Sequence, residues 1–163
     1  MNYFSLEVAG CKRELPIISI SPKIKIASFN LLGDVELVDK CAKLLVAKVK
    51  DIPFEIMVGP EVKVVPLVHR MADIMGQKKY VIFRKNIMPY MVNPVTSKVK
   101  PSLVLDSIDA KELAGKRVLI VDDVASLGNT TRVIIEMLKE IKAKMIGVAT
   151  IVKQGVVAEL PKQ

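Results

Sequence analysis

Apolar residues along the chain follow two rhythms. Near the amino terminus they come in short runs, Tyr3 to Val8 and then residues 12–20, separated by Ala9-Gly10 and followed by Ile24 to Phe29. Short runs around a turn dipeptide predict antiparallel strands. From Leu31-Leu32-Gly33-Asp34 onward the rhythm changes. Val38, Cys41, Ala42, Leu45 and Val49 recur at helical spacing, with Asp34 placed as the N-cap and Pro53 beyond the end. Phe54 to Val58 predicts a buried strand, Val64 to Met75 a helix ended by Gly76, and Lys79 to Phe83 another strand. Leu103 to Leu105 is a further short strand candidate. Val118 to Val121 has the β-branched content of a buried parallel strand. Val133, Ile134, Met137, Leu138 and Ile141 then mark an amphipathic helix to about Lys142, and Met145 to Val152 a last strand. Strands alternating with helices predict an α/β fold, a parallel sheet with helices on both faces. The whole chain, 1–163, reads as one domain, with residues 1–32 forming most of a small β-rich cap and 33–155 the core.

Composition narrows the function classes. The 163 residues are 51% hydrophobic, enough for a real core. No apolar run reaches the roughly 18 residues needed to cross a bilayer. The first residues lack the basic region and long apolar stretch of a signal peptide, which predicts a cytoplasmic protein without a membrane partner. Cys11 and Cys41 lack metal-ligand spacing, and Cys41 falls on the apolar face of its helix. The lone histidine, His69, argues against a zinc site and against a Ser-His-Asp mechanism. The formal charge of +8 fits either nucleic-acid binding or attraction of a small polyanion. The lysines are dispersed and aromatic residues make up only 4%, so no stacking platform for single strands is present. The small anion is favoured, and nucleic acid is not an expected partner.

The candidate chemistry sits in Val118 to Thr131. An apolar run is followed at once by Asp122 and Asp123, then by Val124, Ala125, Ser126, Leu127, Gly128, Asn129, Thr130 and Thr131, and then by the amphipathic helix. A loop between a strand's carboxyl end and a helix's amino end gathers backbone N–H donors, and the helix terminus favours an anion there. Gly128 permits close backbone approach to a phosphate, while Ser126, Thr130 and Thr131 offer hydroxyls. Two carboxylates just upstream can accept hydrogen bonds from a sugar diol. A phosphate cradle beside a diol reader describes a ribose 5-phosphate site. The plain alternative is a capped helix after a core strand with an acidic turn.

This run resembles the phosphoribosyl diphosphate (PRPP) motif of the type I phosphoribosyltransferases, closest to the purine members that use adenine or xanthine. The resemblance implies that Asp122 and Asp123 bind the ribose hydroxyls as catalytic residues. It implies equally that Ala125, Ser126, Leu127, Gly128, Asn129 and Thr130 form the 5-phosphate loop. Leu127 stands where the family usually has Thr, and Asn129 where it often has Gly or Ser. A hydrogen bond lost to a charged group costs about 1.5–3 kcal/mol, and the backbone donors remain. Glu61-Val62-Lys63 looks like the Glu-Ala-Arg turn that holds pyrophosphate in the adenine enzymes, with Lys keeping the charge but not the bidentate fork. Arg84 and Lys85 match the Arg-Lys that opens the family's mobile lid, and Asn86 to Lys100 has a lid's composition. A short hairpin, 90–94 with 95–100, fits that stretch as well. The amino-terminal cap matches the family's base-binding hood, where Phe29 would stack on a purine and Asn30 pair with its edge; core packing and a turn are the bland roles for the same two residues. The implied reaction converts a free purine base, adenine favoured, and PRPP to a nucleoside 5-monophosphate and pyrophosphate, with Mg²⁺ bound alongside PRPP. A homodimer is expected on resemblance alone. The alternative is a non-catalytic regulator that binds PRPP or a nucleotide through the same fold.

Overall fold

The computed structural model describes residues 2–22, 24–125 and 129–153. The expected end of the core at residue 155 therefore lies outside the described residues. Strands β1 (Tyr3–Val8), β2 (Cys11–Ser21) and β3 (Ile24–Ala27) form an antiparallel sheet in that order. The β1–β2 hairpin closes with Val8 opposite Cys11. Ala9 and Gly10 both carry positive φ, 52° and 71°, as a two-residue hairpin turn of this twist requires.

The core then runs α1 (Val35–Val49), β4 (Ile56–Pro60), α2 (Val65–Ile74), β5 (Val81–Phe83), β6 (Val95–Thr96), β7 (Val104–Leu105), α3 (Ser107–Leu113), β8 (Arg117–Ala125), α4 (Asn129–Glu140) and β9 (Lys144–Lys153). Strands β5, β4, β8 and β9 lie side by side in that order, all parallel. Asp34 caps α1 as its sequence position predicts, its Oδ1 accepting the Leu37 amide at 3.1 Å. Arg13 of β2 binds the same carboxylate through Nε at 2.7 Å and reaches Glu36 at 2.9 Å, tying the cap to the core.

Alternation along the sheet divides the core into two faces. Met57, Leu119 and Val121 face α1, α2 and the cap, whose Cys11, Leu15, Phe29 and Leu31 join the same cluster. Ile56, Val58, Val118 and Ile120 face the other side, against α4, α3 and Leu105. Both cysteines are buried, as expected for Cys41 as a core residue. Among the described residues no helix is long and apolar enough to cross a membrane.

Two elements differ from the sequence reading. Strand β8 runs to Ala125 instead of ending at Val121, because the ladder to β9 continues through Asp122–Thr150, Val124–Val152 and Ala125–Lys153. Residues 95–96 pair with 104–105, not with residues 90–94. The hairpin predicted within 90–100 is thereby replaced by one whose second arm is β7. Helix α3 was absent from the sequence reading. Asp106 caps it by accepting the Ile108 amide at 3.0 Å, and Ala110 and Leu113 face the core.

Candidate active site

The carboxyl ends of β4, β5 and β8 open into one cleft of about 370 Å³. This is where ligands bind in open parallel sheets. Its wall includes Glu61 and Lys63 after β4, Lys85 after β5, Asp122 and Asp123 on β8, and Thr130 in the first turn of α4. Four separate stretches of sequence thus place two lysines and three carboxylates around one space.

Gly59 sets the geometry between β4 and β8. A Cβ there would lie 2.8 Å from the Val121 carbonyl oxygen and 2.9 Å from Val64 Cγ1. Only glycine lets β4 approach the backbone just before the aspartate pair this closely. The turn that follows carries a cis peptide between Glu61 and Val62.

The carboxylates of the cleft live in different environments. Asp122 is 8% exposed. Burial pushes its carboxyl up to about 7, and the charge of Asp123 adds to the effect. Its Oδ1 accepts the Asp123 amide at 2.9 Å, and Asp123 Oδ1 accepts the Val124 amide at the same distance. Glu61 is different. Burial works to raise its carboxyl, but the Lys85 amide and the Arg84 guanidinium outweigh this and hold it below the usual range. Glu61 Oε1 accepts the Lys85 amide at 2.6 Å, and Oε2 accepts from Arg84 Nε.

Lys63 Nζ donates to the Phe29 carbonyl at 3.1 Å, a neutral acceptor, and makes no salt bridge among the described residues. Arg84 is absent from the cleft wall, its guanidinium being turned to Glu61 and, through Nη1, to the Tyr90 hydroxyl at 2.9 Å. Ala125 ends β8, half-buried, and exposed Asn129 opens α4. Ser126, Leu127 and Gly128, expected in the phosphate loop, lie outside the described residues.

Phe29 is 4% exposed and belongs to the core cluster. It also lines a separate cavity of about 340 Å³ between the cap and the end of β9, together with Phe4, Leu15, Val152 and Lys153. The Lys63–Phe29 hydrogen bond joins the wall of this cavity to that of the main cleft. Asn30 does not line it; exposed, it accepts the Leu32 amide at 3.3 Å in a turn.

Pro101, Ser102 and Leu103 close the far side of the cleft, which the sequence reading missed. They are held by Ser97, whose amide donates to the Leu103 carbonyl and whose Oγ accepts the Leu103 amide, each at 2.8 Å. The 97–103 segment is therefore closed across Ser97 and Leu103. The one signal for this was the β-strand character of 103–105 itself.

The Asp122–Asp123 pair offers hard oxygen donors of the kind that magnesium takes. Among the described residues no three or more His, Cys, Asp or Glu side chains cluster as a metal site. A divalent ion there would need oxygens supplied by a ligand.

The phosphoribosyl transferase domain model matches residues 31–163. An adenine phosphoribosyltransferase of Caldicellulosiruptor saccharolyticus is 28% identical over 111 residues, 67% of this chain and 63% of that protein. The chain thus spans less than two thirds of the length of that relative. The solved adenine phosphoribosyltransferase of Thermoanaerobacter pseudethanolicus superposes with a TM-score of 0.68 at 16% identity, over 86% of this chain and 95% of the other. A purine phosphoribosyltransferase from Pyrococcus horikoshii aligns with a TM-score of 0.55 at 26% identity, over 76% and 77% of the two chains.

Proposed function

Because the chain belongs to the phosphoribosyl transferase family, we propose that it joins a free purine base to PRPP. A base nitrogen would attack C1 of the ribose. The bond from C1 to the diphosphate oxygen breaks, and pyrophosphate leaves with the electron pair. The base loses its ring N–H proton, giving a nucleoside 5-monophosphate. The observation that carries this reading is the joining of Lys63, Lys85, Asp122, Asp123 and Thr130 in one cleft at the carboxyl end of the sheet.

Each residue then has a chemical task. Asp122 and Asp123 accept from the ribose hydroxyls and orient C1. Ala125 to Thr130 hold the 5-phosphate, with the amino end of α4 favouring its charge. Lys63 and Lys85 neutralise the leaving diphosphate, so the cleft acts by positioning and by stabilising charge as it develops. Magnesium, arriving with PRPP, would neutralise part of the diphosphate charge at the aspartate pair. The base would occupy the cavity under the hood beside Phe29, which adjoins the ribose site through Lys63. The names of the relatives favour adenine as that base. We place this salvage reaction in the cytoplasm and expect a homodimer.

The test is turnover with PRPP and Mg²⁺, offering adenine, guanine, hypoxanthine, xanthine, orotate and uracil separately and detecting products by mass. A monophosphate from a purine supports the proposal and identifies the base. No product from any base, with PRPP binding intact by calorimetry, overturns it in favour of a non-catalytic PRPP-binding regulator. Leu127, which removes a phosphate-binding hydroxyl, is the feature that favours that second reading.

A further inference from the structure

A cleft suited to a polyanion holds a carboxylate, Glu61, where a negative charge should repel the ligand. Its contacts resolve the conflict. The Glu61 amide donates to the Phe83 carbonyl at 2.8 Å. Its Oε1 accepts the Lys85 amide at 2.6 Å, and its Oε2 accepts from Arg84 Nε. Three successive residues, where β5 ends and the 86–103 stretch begins, are thus gripped by one. Arg84 is fixed in turn. Its amide and carbonyl pair with Val104 at 2.8 and 2.7 Å, and its Nη1 donates to the Tyr90 hydroxyl at 2.9 Å.

We propose that Glu61 is a positioning residue, whose carboxylate holds Arg84 and Lys85 in place and, through Arg84, latches Tyr90 and the start of the 86–103 stretch beside the cleft. The assignment rests on the reading of the cleft as a diphosphate site. It changes the roles implied by resemblance. Glu61 does not touch PRPP, and Arg84, its charge already matched, is a structural cation. The charges left for the diphosphate are Lys63 and Lys85: among the described residues the first donates to a neutral carbonyl and neither ammonium makes a salt bridge. A carboxylate suits the task because it accepts from a main-chain amide and a guanidinium at once, and charged partners give hydrogen bonds about twice as strong as neutral ones.

The full chain with Glu61→Gln, and separately with Tyr90→Phe, tests this by hydrogen exchange and steady-state kinetics. Glu61→Gln is expected to raise exchange over residues 85–92 at least tenfold, with α1 unchanged. Its kcat should fall about tenfold, while KM for PRPP changes less than threefold. Tyr90→Phe, which removes only a hydroxyl, should shift both readouts the same way and less. Wild-type exchange over 85–92 in Glu61→Gln overturns the proposal. So does a tenfold rise in KM with kcat retained, which would mean that the carboxylate meets the substrate. If no base reacts and Glu61→Gln still loosens 85–92, the latch stands and the transferase reading falls. If the wild type turns over and Glu61→Gln leaves exchange unchanged, the latch falls and the transferase reading stands.

Discussion

Glu61 and Asp122 line one cleft, and their carboxyls are driven in opposite directions. Glu61 opens a turn where a guanidinium and an amide meet it, and it stays ionised below the ordinary range. Asp122 lies in the body of β8, 8% exposed, with a second aspartate next in sequence, and burial pushes it up to about 7. Burial opposes ionisation at both sites. The outcome depends on whether donors come with it. The carboxyl with its donors in place has a positioning task already filled. The one short of donors is poised to accept them from a ligand's hydroxyls or from a cation.

Replacing Gly59 with alanine attacks the frame that holds the two carboxyls. The new Cβ would meet the Val121 oxygen at 2.8 Å, one residue before Asp122 and two before Glu61 on the facing strand. Backbone cannot swing aside as a side chain can, so β4 must shift from β8. The expected cost is about 2–3 kcal/mol in chemical denaturation, with turnover lost as the two sides of the cleft separate. A Gly59→Ala protein as stable as wild type would show that the strands have slack and that the close approach is not required.

Asp123→Asn comes next. It removes the neighbouring charge while keeping the shape. Turnover should fall about 100-fold if the pair orients the ribose, with melting little changed. The Asp122 carboxyl should titrate lower, though still above its ordinary value, because burial is the larger cause. Unchanged turnover and PRPP affinity would remove the pair from the site.

How far this comparison was legible in the sequence differs for its two halves. Val118 to Thr131 located the Asp122 side, since the apolar run and acidic pair are followed by a glycine, hydroxyl residues and a helix start, which together describe a phosphate cradle beside a diol reader. Its burial was not legible. The apolar run stops at Val121, but pairing with β9 carries the strand through both aspartates to Ala125, and only the neighbouring strand determines that. On the Glu61 side, the Gly59-Pro60 turn and the Arg84-Lys85 pair could be picked out as candidates for the cleft. That Glu61 would grip Arg84 depends on β4 and β5 lying side by side, a pairing of residues 23 apart. The strands other than β6, the hairpin turn and the Asp34 cap are local and were readable. Helix α3, with only 7 residues, is too short to display a helical period. Strand β7 pairs with β6 through Thr96 and Val104 and also meets Arg84 across 20 residues, a contact which no local pattern encodes.

The dependence of stability on pH separates the carboxyls further. Asp122 sits at about 7 in the folded chain against an ordinary 3.8, so between those values the folded chain keeps a proton that the unfolded chain releases. Its contribution is complete below about pH 4 and is lost as the pH rises through 7. Asp122→Asn should remove this slope, gaining on wild type between pH 5 and pH 8 by on the order of 1–3 kcal/mol. Parallel curves for the two proteins would show that Asp122 is ionised throughout, its burial offset by solvent or bound ions. Saturating Mg²⁺ and PRPP should flatten the wild-type slope by favouring the ionised form.

Glu61 should give the opposite sign and a smaller effect. Its folded value lies below the ordinary 4.5, so its contribution is present above that range and is lost as the pH falls through the folded value. Glu61→Gln should therefore melt about 2–4 °C below wild type at pH 7.5, with the gap closing in acid. Asp122→Asn should widen its advantage as the pH rises from 4 toward 7 in the same series. Crossed slopes from two substitutions in one cleft require that donors, and not depth alone, decide which carboxyl is ionised. If both variants instead diverged from wild type in the same direction, burial alone would govern the cleft, and Glu61 would lose its distinction from the aspartate across from it.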